Sequence, residues 1–203
     1  MQNYIYGAGG HGKVVLDAMQ SAGMDCAGFI DDKDTPSWMS LNIIKAAALK
    51  LNSEVRLHLA VGSCKAREDI VGRLINAQYF NVYHPVAVIA KTAQIGLGTF
   101  LAAQAVVAPD AKIGNHCIVN HAAVVDHDCN IGDFTHIAPQ SCLGGGVTVG
   151  KCVLIGAGAI ILPGVTIADY AIIGAGTVVI QNVAAGATVV GNPAKLIQSL
   201  NVS

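Results

Sequence analysis

From residue 89 onward an aliphatic side chain returns every sixth position without interruption. The series opens Ile89, Ile95, Leu101, Val107, Ile113 and closes Ile161, Ile167, Ile173, Val179, sixteen positions in register. The residue four places further on is small at every repeat, from Ala93, Thr99 and Ala105 to Ala171, Thr177 and Val183. A helix buries residues at a period of 3.6 and an alternating strand at a period of two, so neither holds a strict six. A period of six fits a three-sided prism of short parallel strands, each hexad forming one side and three hexads one coil. Sixteen hexads then make about five coils, whose stacking buries the aliphatic residue inside and the small one at a tight corner. No insertion breaks the register, so no long loop is expected to project from the array.

The remaining composition excludes several classes. With 53% hydrophobic and 12% charged residues the chain is not disordered. A net charge of −1 with no basic cluster excludes a nucleic-acid binder that tracks phosphates. The longest uncharged stretches, 134–150 and 152–168, are interrupted by glycines and by Pro163, so no membrane span is expected. The residues after Met1 carry neither a basic nor a long apolar segment, so no secretory signal is read. Six cysteines without a C-x-x-C pair fit reduced thiols and a cytoplasmic protein.

The first 85 residues follow another pattern. A strand over residues 2–6 leads into Gly7-Ala8-Gly9-Gly10-His11-Gly12-Lys13, a G-x-G-x-x-G turn, and then into the helical series Val14, Val15, Leu16, Ala18, Met19. After Gly23 a second strand, 26–30, ends in Asp31-Asp32. Strand, glycine turn, helix, strand and terminal acid form the context in which glycines let backbone approach a phosphate and a helix N-terminus receives it. Helices over 41–51 and 65–77 and strands over 56–61 and 79–83 complete the unit, with Gly62-Ser63 a second turn. This is one mononucleotide-binding half, which favours a nucleotide or nucleotide-sugar over a dinucleotide. Three segments follow: a nucleotide-sugar-binding α/β domain over 1–85, an all-β prism over 86–190, and a tail over 191–203.

Together these motifs resemble the hexapeptide-repeat sugar O- and N-acetyltransferases of the sialic acid O-acetyltransferase type. Within them they are most similar to the UDP-4-amino-sugar N-acetyltransferases of the bacillosamine pathway. The likeness rests on the glycine turn, on Val124-Val125-Asp126-His127-Asp128-Cys129-Asn130-Ile131-Gly132, on Leu162-Pro163-Gly164-Val165 and on Gly191-Asn192-Pro193-Ala194-Lys195. It implies that the prism is a left-handed parallel β-helix. It also implies that acetyl-CoA is the co-substrate and that the protein is a homotrimer with active sites between subunits. By the same resemblance His127 is the general base and Asp128 its partner. Asn120, His136, Gly145, Ala157 and Ala175 contact acetyl-CoA, with the Gly145 N–H facing the oxyanion. Gly9, His11, Lys13, Asp31, Asp32 and Gly62 take the UDP-sugar.

The residues themselves support part of this reading. His127 lies two places after the inward Val125, so it points outward near a corner between Asp126 and Asp128. A carboxylate bonded to one ring nitrogen fixes the tautomer and makes the other a better base, and either acid can serve. His58, His84 and His116 lack motif support and are expected to be structural. Zinc is not expected: His116 and His121 have a five-residue spacing, but the position two coils earlier is Phe80. Cys117 and Cys129 occupy the small corner position and are expected to be buried and inert. O-acetylation of sialic acid or another sugar, and a non-catalytic nucleotide-sugar-binding trimer, are the alternatives to N-acetylation of a UDP-linked 4-amino sugar.

Overall fold

The computed structural model describes residues 1–33 and 41–199. The N-terminal part is a parallel sheet of β1 (Gln2–Tyr6), β2 (Gly28–Asp31), β3 (Ile43–Lys45), β4 (Val55–Leu59) and β5 (Gln78–Tyr79), in the order β3-β2-β1-β4-β5. Two helices connect it, α1 (Gly10–Ser21) after β1 and α2 (Cys64–Arg73) after β4. Helix α1 buries Val15, Leu16, Ala18 and Met19, a spacing that lays one stripe on the sheet. Its start, Gly9, offers no side-chain cap, so the first-turn N–H groups are left open at the carboxyl ends of the strands. Helix α2 starts at Ser63, whose hydroxyl accepts from the Ala66 N–H at 3.3 Å.

Two expected elements differ, the first being the strand over 79–83, which is split between Gln78–Tyr79 of the α/β sheet and Val82–Tyr83, which pairs with Phe100–Leu101. Residues 41–51 form no helix: Ile43–Lys45 adds a strand beside β2 and Ala46–Ala48 makes a single 3-10 turn. The β-branched pair Ile43-Ile44 pairs with Phe29 and Ile30, and that ladder overrides the helix propensity of the three alanines.

The rest of the chain is a three-sided parallel β-helix. Two-residue strands recur every six residues from Val82–Tyr83 to Val178–Val179, and up to Ile160–Ile161 each pairs with the strand eighteen residues on, as Val106 with Val124 and Val124 with Cys142. Coil strands thus begin at Val82, which pairs with Phe100, slightly ahead of residue 86. At the other end Lys195–Ser199 turns back antiparallel on Ala187–Val190 rather than trailing as a tail; residues 200–203 lie outside the described residues.

The repeat residues occupy the interior as the period requires. From Leu101 to Val179 the sixth-position aliphatics are buried, as are the small residues from Thr99 to Val183. Small side chains are needed there because corner carbonyls close over them: Thr99 Oγ1 donates to Gly114 O at 2.9 Å and Thr135 Oγ1 to Gly150 O at 2.8 Å. Cys117 and Cys129 play the same part, with Sγ 3.2 and 3.3 Å from the carbonyls of Gly132 and Gly144. Burial pushes the Cys117 thiol up to about 12, leaving it inert.

Each corner also places one residue in the left-handed region. Positions 98, 104, 110, 116, 122, 128 and onward to 176 all have φ between 53° and 72°. Six-residue spacing thus fixes the backbone twist at every corner as well as the packing.

The two parts share a core. Ile5, Leu16, Met19 and Phe29 of the α/β unit cluster with Phe100, Ala102 and Ile118 of the β-helix. The buried faces of α1 and of one β-helix side therefore form a single packed seam.

Candidate active site

The open end of the α/β sheet forms a cavity of about 710 Å³. It is lined by the glycine turn (Gly7, Gly9, Gly10, His11), by Asp31 and Asp32 after β2, by Val61 and Gly62 after β4, and by Asp69, Ile70 and Arg73 of α2. A Cβ added at Gly9 or Gly10 would meet nothing within 4 Å, so packing does not demand glycine there. Gly7 is demanded, because at φ +111° an added Cβ would lie 2.7 Å from Ala60 O. Bare backbone facing the cavity beside an uncapped helix start suits a phosphate.

Of the residues expected here, Gly9, His11, Asp31, Asp32 and Gly62 line the cavity, and Lys13 is not among the lining residues. The two acids do different work. Asp31 Oδ2 accepts from the Ala8 N–H at 2.8 Å and Oδ1 from the Lys33 N–H at 2.9 Å, so it ties the glycine turn to β2. Asp32 Oδ2 accepts from the Tyr6 hydroxyl at 2.9 Å and from Arg73 Nη2 at 3.3 Å. Burial and the Asp32 carboxylate push Tyr6 up to about 12, which keeps it a donor. The contribution of α2 was not read from the sequence. Its signal is the Ala66, Asp69, Ile70, Arg73 spacing, which puts one helix face on the cavity.

His127 stands at a corner of the β-helix with its ring exposed. Nδ1 lies 2.7 Å from Asp128 Oδ2, and the His127 N–H donates to Asp126 Oδ1 at 2.8 Å. Asp128 therefore orients the ring and Asp126 holds the backbone. Because a carboxylate only accepts, Nδ1 carries the proton and Nε2 presents its lone pair when the ring is neutral. Asp128, then Asp126, raises the imidazole above its usual value.

Gly145 lies one coil below His127. A Cβ there would come within 2.5 Å of His127 Cε1 and Nε2, so only glycine leaves the ring its place. The Gly146 N–H is taken by His127 O at 2.9 Å, whereas the Gly145 N–H meets no acceptor among the described residues. A lone-pair base beside a free backbone donor is an arrangement that can remove a proton and stabilise an oxyanion.

The other expected donor-site residues lie apart from this pair. Corner hydrogen bonds link His121, Pro139, Ala157 and successive coils along one edge, on which Ala175 also lies, while Pro109, His127 and Gly145 line another. His136 faces the α/β unit: its Nδ1 is 3.1 Å from Gly62 O and its Nε2 3.1 Å from Asn120 Nδ2. Burial lowers His136 to about 4 and His11 to about 3, so both rings are neutral.

His58, His84 and His116, expected to be structural, make local contacts. His58 Nδ1 is 3.0 Å from Phe80 O, His84 Nδ1 accepts from the Val86 N–H, and His116 stacks on Phe134 at 5.4 Å. Among the described residues no group of three or more His, Cys, Asp or Glu side chains could hold a metal ion, and no helix is long and apolar enough to cross a membrane.

Comparison with known proteins gives a consistent set. The family model of the PglD N-terminal domain matches residues 3–74, and that of the bacterial transferase hexapeptide (six repeats) matches residues 146–181. PerB from Caulobacter crescentus, solved in complex with CoA and GDP-perosamine, is 33% identical over 98% of each chain, with a TM-score of 0.92. The acetyltransferase domain of PglB from Neisseria gonorrhoeae FA1090, solved with acetyl coenzyme A, is 32% identical over 97% of this chain and 98% of its own, at 0.90. WeeI from Acinetobacter baumannii AYE is 28% identical over 97% of this chain and all of its own, at 0.84. A search of curated proteins matched nothing.

Proposed function

Because the chain belongs to the hexapeptide-repeat sugar acetyltransferases, we propose that it transfers acetyl from acetyl-CoA to the 4-amino group of a UDP-linked amino sugar. Transfer to a sugar amine has the support of PerB, described as a GDP-perosamine N-acetyltransferase, and of full-length coverage by acetyltransferases solved with CoA or acetyl-CoA. UDP is favoured by the motif likeness to UDP-4-amino-sugar enzymes. GDP is the second reading, favoured by the GDP-perosamine bound to PerB. We place the reaction in the cytoplasm, in keeping with six free cysteines.

The observation that carries the reading is the Asp128–His127–Gly145 corner. Acetyl-CoA supplies an activated thioester carbon. As the sugar amine attacks it, His127 Nε2 accepts the amine proton, and Asp128 steadies the imidazolium through Nδ1. The Gly145 N–H donates to the oxygen on which charge develops. When the C–S bond breaks, the proton on Nε2 returns to the leaving thiolate, so His127 ends neutral.

The α/β cavity supports the nucleotide end, with the α1 N-terminus for phosphate and the Tyr6–Asp32–Arg73 group for ribose or base. His127→Ala is expected to keep the fold and acetyl-CoA binding while turnover falls by about two to four orders of magnitude. Steady-state kinetics with circular dichroism and calorimetry checks this. Near-wild-type turnover in a folded variant would remove His127 from the mechanism.

A further inference from the structure

Arg67 of α2 is one of the largest fully buried side chains, 1% exposed, and it has no carboxylate partner among the described residues. Its guanidinium donates to five backbone carbonyls. Nε donates to His116 O at 3.0 Å, Nη1 to Val61 O at 2.7 Å and Gly62 O at 3.1 Å, and Nη2 to Phe134 O at 2.5 Å and Thr135 O at 3.4 Å. One guanidinium thereby ties the loop after β4 to two successive coils of the β-helix. Burying an unpaired cation is costly, and an apolar side chain of similar volume would join the two parts more cheaply. What only the planar fork supplies is fixed positions for several oxygens at once.

One of those oxygens continues into the active site. Gly62 O also accepts from His136 Nδ1 at 3.1 Å, so the Nδ1 proton is present. The His121 N–H donates to Asn120 Oδ1 at 2.9 Å, which turns the Asn120 amide nitrogen toward His136 Nε2 at 3.1 Å. That amide can only donate, so Nε2 accepts and the ring is neutral with both nitrogens occupied.

We propose that Arg67 is a positioning residue for acetyl transfer: it holds Gly62 O so that His136 keeps the Nδ1–H tautomer and Asn120 its orientation. This rests on the acetyltransferase reading, in which Asn120 and His136 border the acetyl donor. Gly62 at the same time lines the nucleotide cavity. Arg67 thus sets the spacing between the walls that receive the two substrates. His136 in this role is a relay between Arg67 and Asn120 and not a second base.

The charged and titratable groups facing the His136 ring are His11 of α1, at 6.3 Å between ring centroids, and Arg67 of α2. His11 is itself neutral, and Arg67 adds to burial in keeping His136 so.

Nitrogen-15 histidine spectra of the full chain between pH 8 and pH 5 test the geometry directly. His136 is expected to stay neutral with its proton on Nδ1; an Nε2–H tautomer, or titration near the ordinary value of about 6.5, overturns the proposal. In Arg67→Met and Arg67→Lys the tautomers should mix. The KM for acetyl-CoA should rise about tenfold or more, while the pH inflection set by His127 stays in place. Lysine should fail to rescue, because one ammonium cannot hold carbonyls from three segments. A folded Arg67→Lys or Arg67→Met protein with wild-type KM and an unchanged His136 spectrum overturns the proposal. If the methionine variant does not fold, the wild-type spectrum and the lysine variant decide. Failure of the wild-type protein to acetylate any nucleotide-linked amine, with the expected tautomer intact, would strike the functional reading and not the clamp.

Discussion

Asp128 occupies the left-handed corner position with φ 60°, a conformation that costs most residues about 1 kcal/mol and that Asp tolerates better than most. That twist accompanies the 2.7 Å contact of its carboxylate with Nδ1 of the preceding residue, so the corner geometry and the orientation of the base are one feature. Since the acids raise His127, the ring that the proposed mechanism uses as base is protonated in mildly acidic solution and would become active as pH rises. A plot of kcat/KM against pH should therefore rise through an inflection above the ordinary histidine value of about 6.5. Asp128→Ala should move that inflection down and lose less turnover than His127→Ala, because Asp128 orients the base without taking the proton. An unshifted inflection in Asp128→Ala would mean another group sets it. Gly145→Ala forces a Cβ to within 2.5 Å of the ring carbon and nitrogen, and a displacement on this scale costs about a hundredfold in turnover. Thermal stability should barely change, because this corner is solvent-facing; a fully active Gly145→Ala enzyme would show that the ring is not held there.

At the scale of elements, the β-helix was legible because one residue per hexad must point inward, and aliphatic side chains from Leu101 to Val179 state this directly. The corner twist was not read. Its left-handed positions hold Gly98, Gly146 and Gly158 but also Gln104, Phe134 and Tyr170, so composition hides a regularity that only phase reveals. The glycine turn and the acids after β2 were legible, and so was His127 between its two acids. The cavity face of α2 and the contacts of Arg67 were not, because Arg73 meets Asp32 41 residues back and Arg67 meets His116 and Thr135 49 and 68 residues further along the chain. The misread helix over 41–51 has the same origin, since Ile43 and Ile44 take their conformation from β2 and not from their neighbours in sequence. On the proposed function, the separation of the α/β cavity from the His127 corner implies a division of labour. Asp32→Ala removes the acceptor shared by Tyr6 and Arg73 and should weaken UDP-sugar binding while acetyl-CoA binding stays unchanged. Calorimetric titration of both ligands checks this, and equal weakening of both would reassign the cavity.

For the whole molecule, one protomer places His127 and Gly145 on one edge of the prism and Ala157 and Ala175 on another. If, as the family resemblance implies, the site draws on both sets, it would be built from two chains side by side, and a three-sided prism can close into a three-fold ring. Ile160, Leu162, Ile172 and Ile180 are exposed on the isolated chain, and covering such surface gains about 25 cal/mol per Å² of apolar area before the cost of association. Light scattering should thus give about three times 20.8 kDa; a fully active monomer would sink the shared site. The proposed reaction is N-acetylation of a nucleotide-linked amino sugar. Purified protein incubated with acetyl-CoA and matched UDP- and GDP-linked 4-amino and 4-hydroxy sugars, followed by thiol release and mass spectrometry of the sugar, tests it most directly. The expected product is an amide on the 4-amino sugar, with the UDP-linked acceptor giving the higher kcat/KM. Acetyl ester on the hydroxyl sugars alone, or no thiol release with any acceptor, would contradict it.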